Sequence, residues 1–446
     1  MASKPVIILH GYSDTRASFK PLARFLATAR IQVKSIFLGD YITLDDCLTI
    51  EDLAKAFETA LVAEKIPTKA HGFDLIVHST GALVAREWLT RYYLDPGRDC
   101  PVGRFLMLAP ANFGSPLAHT GRTMFGRLVK GWKTRFEVGT QVLKALEQGS
   151  PYTWNLASRD LFGPRSFYQN DDCIAAVFMG ATPYQSGMRQ LVNRKGSDGT
   201  VYVSCADLNA TGLTVRMGRK LDKPQVTPWK RSAGAIPFAV FPERDHGSIT
   251  RPDKGDARLG EMILRFLRLD KAAGVRDFAG DCEGLTRETL PWGAPSDEDF
   301  HSYQHVVSRV HDDLGLPVPD YFLEFFEQAG TQAEETRVDE LMITMHTQVL
   351  KYVHAYRDDN TYRSLLFDTT DLMRVLSGGS LLMFSLAAVS PGPLIDYSAG
   401  AGNDVGELAI GPQNKQFWRP NQTLLLDLVI ERCQADKVFR LHRSPW

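Results

Sequence analysis

Apolar positions in the first 270 residues come in short runs rich in β-branched side chains, separated by longer stretches where they recur every three or four positions. Pro5–Leu9, Val33–Leu38, Phe73–Val77, Arg104–Leu108, Ala175–Met179 and Phe238–Phe241 read as strands, dense enough in Val, Ile, Leu or Phe to be covered on both faces. Between them, Thr49–Glu64 sets Leu53, Ala56, Phe57, Ala60 and Leu61 on one helical face, and Leu259–Leu269 does the same with Leu259, Met262, Ile263 and Phe266. Such alternation predicts an α/β domain over residues 1–271, a parallel sheet clothed by helices. Residues 117–162 interrupt it with helical, basic and aromatic sequence, including Arg127, Lys130, Trp132, Lys133 and Phe136, and read as an inserted cap.

The pattern changes after residue 271. Residues 272–296 carry Gly274, Gly280, Gly284, Pro291, Gly293 and Pro295 and read as a linker. A second domain over 297–446 is expected to open with a helix, on the spacing of Phe300, Tyr303, Val307, Val310 and Leu314. It then turns strand-like at Leu341–Val349, Ser380–Val389, Val405–Ile410, Thr423–Arg432 and Val438–Leu441. The last two runs, separated by residues 433–437, suggest a hairpin, and the whole suggests a mainly-β, sandwich-like domain.

Composition narrows the function classes. The 446 residues hold 51 Lys and Arg against 52 Asp and Glu, a net charge of −1, so no basic field announces a nucleic acid. With 44% hydrophobic and 23% charged residues the chain should fold rather than stay disordered. Its six cysteines are dispersed without C-x-x-C or His-paired spacing, the pattern of buried free thiols rather than a zinc site or disulfide framework. The apolar stretch before His10 is too short for a signal-peptide core and no run approaches the ~20 apolar residues of a membrane span, so a soluble, cytoplasmic protein is the default expectation; export without a signal is also compatible.

The most informative segment runs from Phe73 to Arg86, an apolar strand that meets Ser79 and becomes helical within two residues. Such a turn holds a hydroxyl above the carboxyl end of a sheet, and the helix that follows aims N–H groups and its positive dipole end at charge developing beside it. A serine here could equally be a helix cap, which is a favoured role for that residue. The segment resembles the nucleophile elbow of the α/β-hydrolases, in the lipase and esterase branch. The family pattern is G-x-S-x-G, and Val77 stands at its first glycine position.

Further stretches resemble the same family in the same order. Ile8-Leu9-His10-Gly11-Tyr12 is similar to the oxyanion loop of lipases, which implies that the N–H groups of Tyr12 and Thr80 form the oxyanion hole. Residues 108–116 resemble the loop following the next strand. Ser197-Asp198-Gly199-Thr200-Val201 is similar to the stretch carrying the triad acid, implying Asp198 in that role, with Asp207 an open alternative a few residues on. After the strand ending at Phe241, His246 stands where the family places its base; imidazole suits the task because it titrates near neutrality. The order Ser79, Asp198, His246 is the one this class uses. His71 and His78 should not reach the serine hydroxyl, and His301, His305 and His311 read as flanking the apolar stripe of the predicted helix on a solvated face.

The resemblance implies a serine hydrolase of carboxylic esters, with lipid or phospholipid acyl esters as favoured substrates, and no metal or organic cofactor. Acyl transfer to an acceptor other than water would use the same triad, and a catalytically silent binding module is the alternative from another class. The cap and the C-terminal domain are the candidate places for contact with a membrane surface. No protein partner is implied.

Overall fold

A computed structural model describes residues 4–10, 19–36, 47–95, 97–120, 139–165, 167–168, 172–184, 194–219, 221, 223–270, 272–290, 301–327, 342–375, 382–398, 405–410 and 416–435. In chain order the first 241 residues lay down strands β1 (Val6–Leu9), β2 (Val33–Ile36), β3 (Phe73–His78), β4 (Val102–Leu108) and β5 (Ile174–Gly180), a hairpin of β6 (Thr211–Met217) and β7 (Gln225–Pro228), and then β8 (Phe238–Phe241). All six strands expected from the apolar runs are present. The chain divides into two compact units, one comprising Met1–Ala210, Lys230–Tyr303 and Asn421–Thr423, the other Thr211–Trp229, Gln304–Pro420 and Leu424–Trp446.

In the first unit a six-stranded sheet runs in the order β2-β1-β3-β4-β5-β8 with every pair parallel. Every residue of β1, β3 and β8 is buried, as strands with both faces covered should be. The helix Ile50–Ala63 starts at a capping box, the Thr49 hydroxyl accepting from the Asp52 N–H and the Asp52 carboxylate from the Thr49 N–H. The helix Gly81–Tyr93 is buried on most of its surface and contains charges that must be paired. Arg86 forks onto both carboxylate oxygens of Asp160, at 2.7 and 3.0 Å, with neither side chain exposed. Asp160 closes the helix Pro151–Asp160, so this part of the expected cap is tied to the helix behind the elbow. The expected amphipathic segment with Trp132 and Phe136 lies outside the described residues.

Over 272–289 the expected linker is instead an 18-residue helix, Ala272–Thr289. Val275, Phe278, Cys282 and Leu285 form its buried stripe, while Gly280 and Gly284 face open space, where glycine lowers helix propensity without breaking the packing. The helix also closes the exposed edge of the sheet. The hydroxyls of Thr286 and Thr289 donate to the carbonyls of Phe238 and Val240 at 3.0 Å, and Thr286 accepts from the Val240 N–H.

The second unit continues with β9 (Tyr303–Asp312), β10 (Tyr321–Glu327), β11 (Leu350–Ala355), β12 (Tyr362–Asp368), β13 (Leu382–Ala388), β14 (Ile395–Ser398), β15 (Val405–Ala409) and β16 (Thr423–Gln434). One sheet runs β11-β12-β9-β16-β6-β7, with β14 also paired to β16; a second runs β10-β13-β15. A single apolar cluster draws on both sheets. Phe325 of β10 lies 5.0 Å from Phe367 of β12, which in turn lies 5.4 Å from Trp418. The region is therefore mainly β and sandwich-like, as expected, but its larger sheet is mixed: β16 runs parallel to β6, pairing Leu424 with Thr211 through Ile430 with Met217.

Three local expectations differ here. The helix predicted around Phe300–Leu314 is strand β9. Its apolar spacing arose because a strand in mid-sheet is covered on both faces, which removes the alternation that identifies strands. On that strand His305 is buried rather than solvated and bonds the Ser364 hydroxyl at 2.9 Å, His311 is half-buried beside Asp427, and His301, just before the strand, is buried as well. The strand predicted at Leu341–Val349 is helical over its described part, with Met345 and Val349 buried one turn apart and Ile343 exposed. The expected hairpin turn at 433–437 begins inside β16, which continues to Gln434; Val438–Leu441 lies outside the described residues. Among the described residues no helix is long and apolar enough to cross a membrane.

Candidate active site

Because the six strands are parallel, their carboxyl ends share one rim, the edge at which open α/β sheets place their ligands. Ser79 follows the last residue of β3, near the middle of that rim. Its φ is +53°, a left-handed conformation that costs a non-glycine residue about 1–3 kcal/mol and is retained where the surrounding structure enforces it. Here the Ser79 N–H donates to the Leu108 carbonyl at 3.2 Å, and its own carbonyl accepts from Ala82. Val77, at the position where the family motif has glycine, is a fully buried sheet residue paired with Leu9 and Met107. Gly81 is where space is short: a Cβ there would sit 3.1 Å from the Leu9 carbonyl oxygen. Ser79 itself stays partly exposed between buried neighbours.

The loop after β8 brings His246 to this hydroxyl. His246 Nε2 lies 3.0 Å from Ser79 Oγ and its Nδ1 lies 2.8 Å from Asp198 Oδ2. A carboxylate can only accept, so Nδ1 carries the proton and Nε2 is left to accept from the serine. The loop is fixed around the ring. The Thr182 N–H donates to the Arg244 carbonyl, the Arg244 guanidinium donates to the carbonyls of Arg251 and Asp256, and the Asp245 carboxylate accepts from the N–H groups of Gly247 and Ser248.

Asp198 is fully buried and its other oxygen, Oδ1, accepts from the N–H groups of Thr200 and Val201 at 2.9 and 2.8 Å. Its backbone carbonyl accepts from the His246 N–H at 3.0 Å, so Asp198 and His246 are joined twice. Gly199 has φ +92° and packs its Cα against Tyr184, where a Cβ would come within 2.5 Å of the ring. Asp207, the alternative acid, instead accepts from the Asn209 N–H and side-chain amide at the start of the β6 hairpin, and burial pushes its carboxyl up to about 7. The structure thus brings Ser79, Asp198 and His246 together and leaves Asp207 apart. Thr80 is buried and opens the helix Gly81–Tyr93, so its N–H is one of the first-turn donors without an intrahelical carbonyl. Tyr12 lies outside the described residues.

Two features were not foreseen. His78, expected only to stay away from the hydroxyl, engages His246, its Nε2 lying 2.9 Å from the His246 carbonyl oxygen. The loop after β4 is fixed from beneath by Arg86, which donates to the Asn112 carbonyl at 3.0 Å while the Asn112 amide donates to the Ala206 carbonyl at 2.7 Å. The sequence signal was an arginine directly after the apolar run Ala82–Ala85 that opens the helix, a charge that needs a buried partner.

No family model matches the chain. Phospholipase PlaB from Legionella pneumophila superposes along nearly its whole length, with TM-score 0.79 and 23% identity over 99% of this chain and 96% of that one. The structure of that phospholipase in complex with thio-NAD gives TM-score 0.78 at 21% identity, again over 99% and 96%. In sequence, palmitoyl-protein thioesterase 3 from Dictyostelium discoideum is 32% identical over 93 residues, a match spanning 20% of this chain and 32% of that protein. The parallel sheet, its elbow and the overlap with PlaB show an α/β-hydrolase fold, accompanied by a β-rich unit.

Proposed function

We propose that the protein is a serine hydrolase of acyl esters whose substrates are lipids. The observation that carries this reading is the continuous hydrogen-bonded path from the strained Ser79 through His246 to Asp198. In the proposed reaction Ser79 Oγ attacks the ester carbonyl while His246 Nε2 takes its proton. The acyl C–O bond then breaks as His246 returns that proton to the leaving alcohol, giving an acyl-enzyme. Water repeats the sequence and frees the carboxylic acid. Asp198 holds the imidazole in the Nδ1–H tautomer and stabilises the imidazolium. The N–H groups of Thr80 and Tyr12 receive the oxyanion in this scheme.

A lipid substrate is favoured because a phospholipase is similar to this chain in fold and a palmitoyl-protein thioesterase is similar to part of it in sequence. The cap and the β-rich unit remain the candidate regions for contact with a lipid surface. The test is fatty-acid release by the full chain from phosphatidylcholine vesicles, set against hydrolysis of a short soluble ester. Release that is absent in Ser79→Ala supports the reading; turnover of the soluble ester alone would remove the lipid assignment, and turnover of neither would remove the hydrolase.

A further inference from the structure

The imidazole of His246 is placed by its own backbone, whose N–H is held by Asp198 itself and whose carbonyl is held by the residue next to Ser79. Its N–H donates to the carbonyl of Asp198 at 3.0 Å. Its carbonyl faces Nε2 of His78 at 2.9 Å, and His78 immediately precedes Ser79. The His78 ring is buried, lies 4.7 Å from the His246 ring at an interplanar angle of 46°, and is met edge-on by Phe19 at 5.5 Å. Phe19 is in turn packed at right angles to His10 at 3.8 Å. A rigid strand end therefore carries nucleophile and base support on adjacent residues.

We infer that His78 is a positioning residue for His246: its Nε2–H holds the base's carbonyl and so sets the reach of the imidazole to Ser79 Oγ. The inference rests on the hydrolase reading above. Its physical basis is that a carbonyl oxygen only accepts, so His78 must carry its proton on Nε2. A buried carbonyl that loses its donor pulls its loop toward another partner. Displacement of a catalytic group by about 1 Å costs on the order of 100-fold in rate. His78 touches no reacting atom and takes no proton in the reaction.

The experiment compares His78→Gln, which keeps an amide N–H at the reach of Nε2, with His78→Leu, which fills the space without a donor, both in the full chain. For a soluble ester, His78→Leu is expected to lower kcat by about 10–100-fold with KM within about twofold of wild type. The rate of fluorophosphonate labelling at Ser79 should fall in parallel, and His78→Gln should retain most of both. Equal activity of His78→Leu and wild type, or equal loss in both variants, overturns the inference, since the first removes the need for the side chain and the second the need for its donor. If His78→Leu does not fold, the His78 tautomer in wild type, read from histidine-labelled long-range 1H–15N spectra, decides: a proton on Nε2 supports the inference and a bare Nε2 overturns it. Failure of the hydrolase reading is seen separately, as wild-type protein that Ser79-directed probes do not label.

Discussion

The two compact units bury polar side chains in different ways. Among the described residues of the second unit, several polar side chains close on a facing strand: His305 on Ser364, Ser308 on Tyr321, Arg432 on Asp312, Arg309 on Asp427. In the first unit three separate segments bring Ser79, His246 and Asp198 into one hydrogen-bonded path, and the backbone at Ser79 is bent into a left-handed conformation. Among the described residues every non-glycine position with positive φ, Ser79 and Ala109 included, belongs to the first unit. Paired polar groups on relaxed strands make a unique core, whereas convergence combined with local strain is what a reaction centre requires.

The strongest way to break this contrast is at the acid. Asp198→Asn should leave the fold intact but favour the wrong histidine tautomer, lowering kcat by about 10⁴-fold in steady-state ester hydrolysis. A loss of tenfold or less would mean that the convergence is not catalytic. Next in size, Phe384→Ala in the second unit removes a fully buried ring beside Phe325 and should cost about 3–5 kcal/mol in denaturant unfolding. Ser79 labelling of the folded fraction should be unchanged by it.

Smaller still, and opposite in sign between the units, are two pH effects on stability. Buried Asp207 in the first unit has its carboxyl pushed up to about 7 from the ordinary 3.8, so the folded chain holds a proton that the unfolded chain has released. Its stability contribution is full below about pH 4 and is lost as pH rises through 7. Asp207→Asn should therefore melt about 2–4 °C above wild type at pH 8, with the gain vanishing toward pH 4. Buried His305 in the second unit is pushed down to about 3 from 6.5, so its contribution is full above pH 6.5 and is lost as pH falls toward 3. His305→Gln should flatten the acid limb of the melting curve and leave the alkaline limb untouched; the reverse assignment would contradict the burial described for both groups.

The parallel sheet was legible because strands covered on both faces announce themselves as unbroken apolar runs, and the site was legible because Ser79, Asp198 and His246 each follow such a run in a recognisable order. What escaped was non-local. The β6–β7 hairpin sits near the middle of the chain, but β6 also pairs with β16, roughly two hundred residues later, and nothing near Thr211 encodes that pairing. The helix Ala272–Thr289 was hidden by its glycines, two of which, Gly280 and Gly284, face open space. The expectation that His78 does not reach the serine hydroxyl says nothing of a carbonyl arriving from residue 246.

The proposed hydrolysis requires Ser79 to be an activated nucleophile. The most direct measurement is intact-mass and peptide mass spectrometry of the full chain after treatment with a fluorophosphonate. A single adduct on Ser79, slowed strongly in His246→Ala and absent in Ser79→Ala, is the predicted result. No adduct, or an adduct on another residue that survives Ser79→Ala, would contradict it.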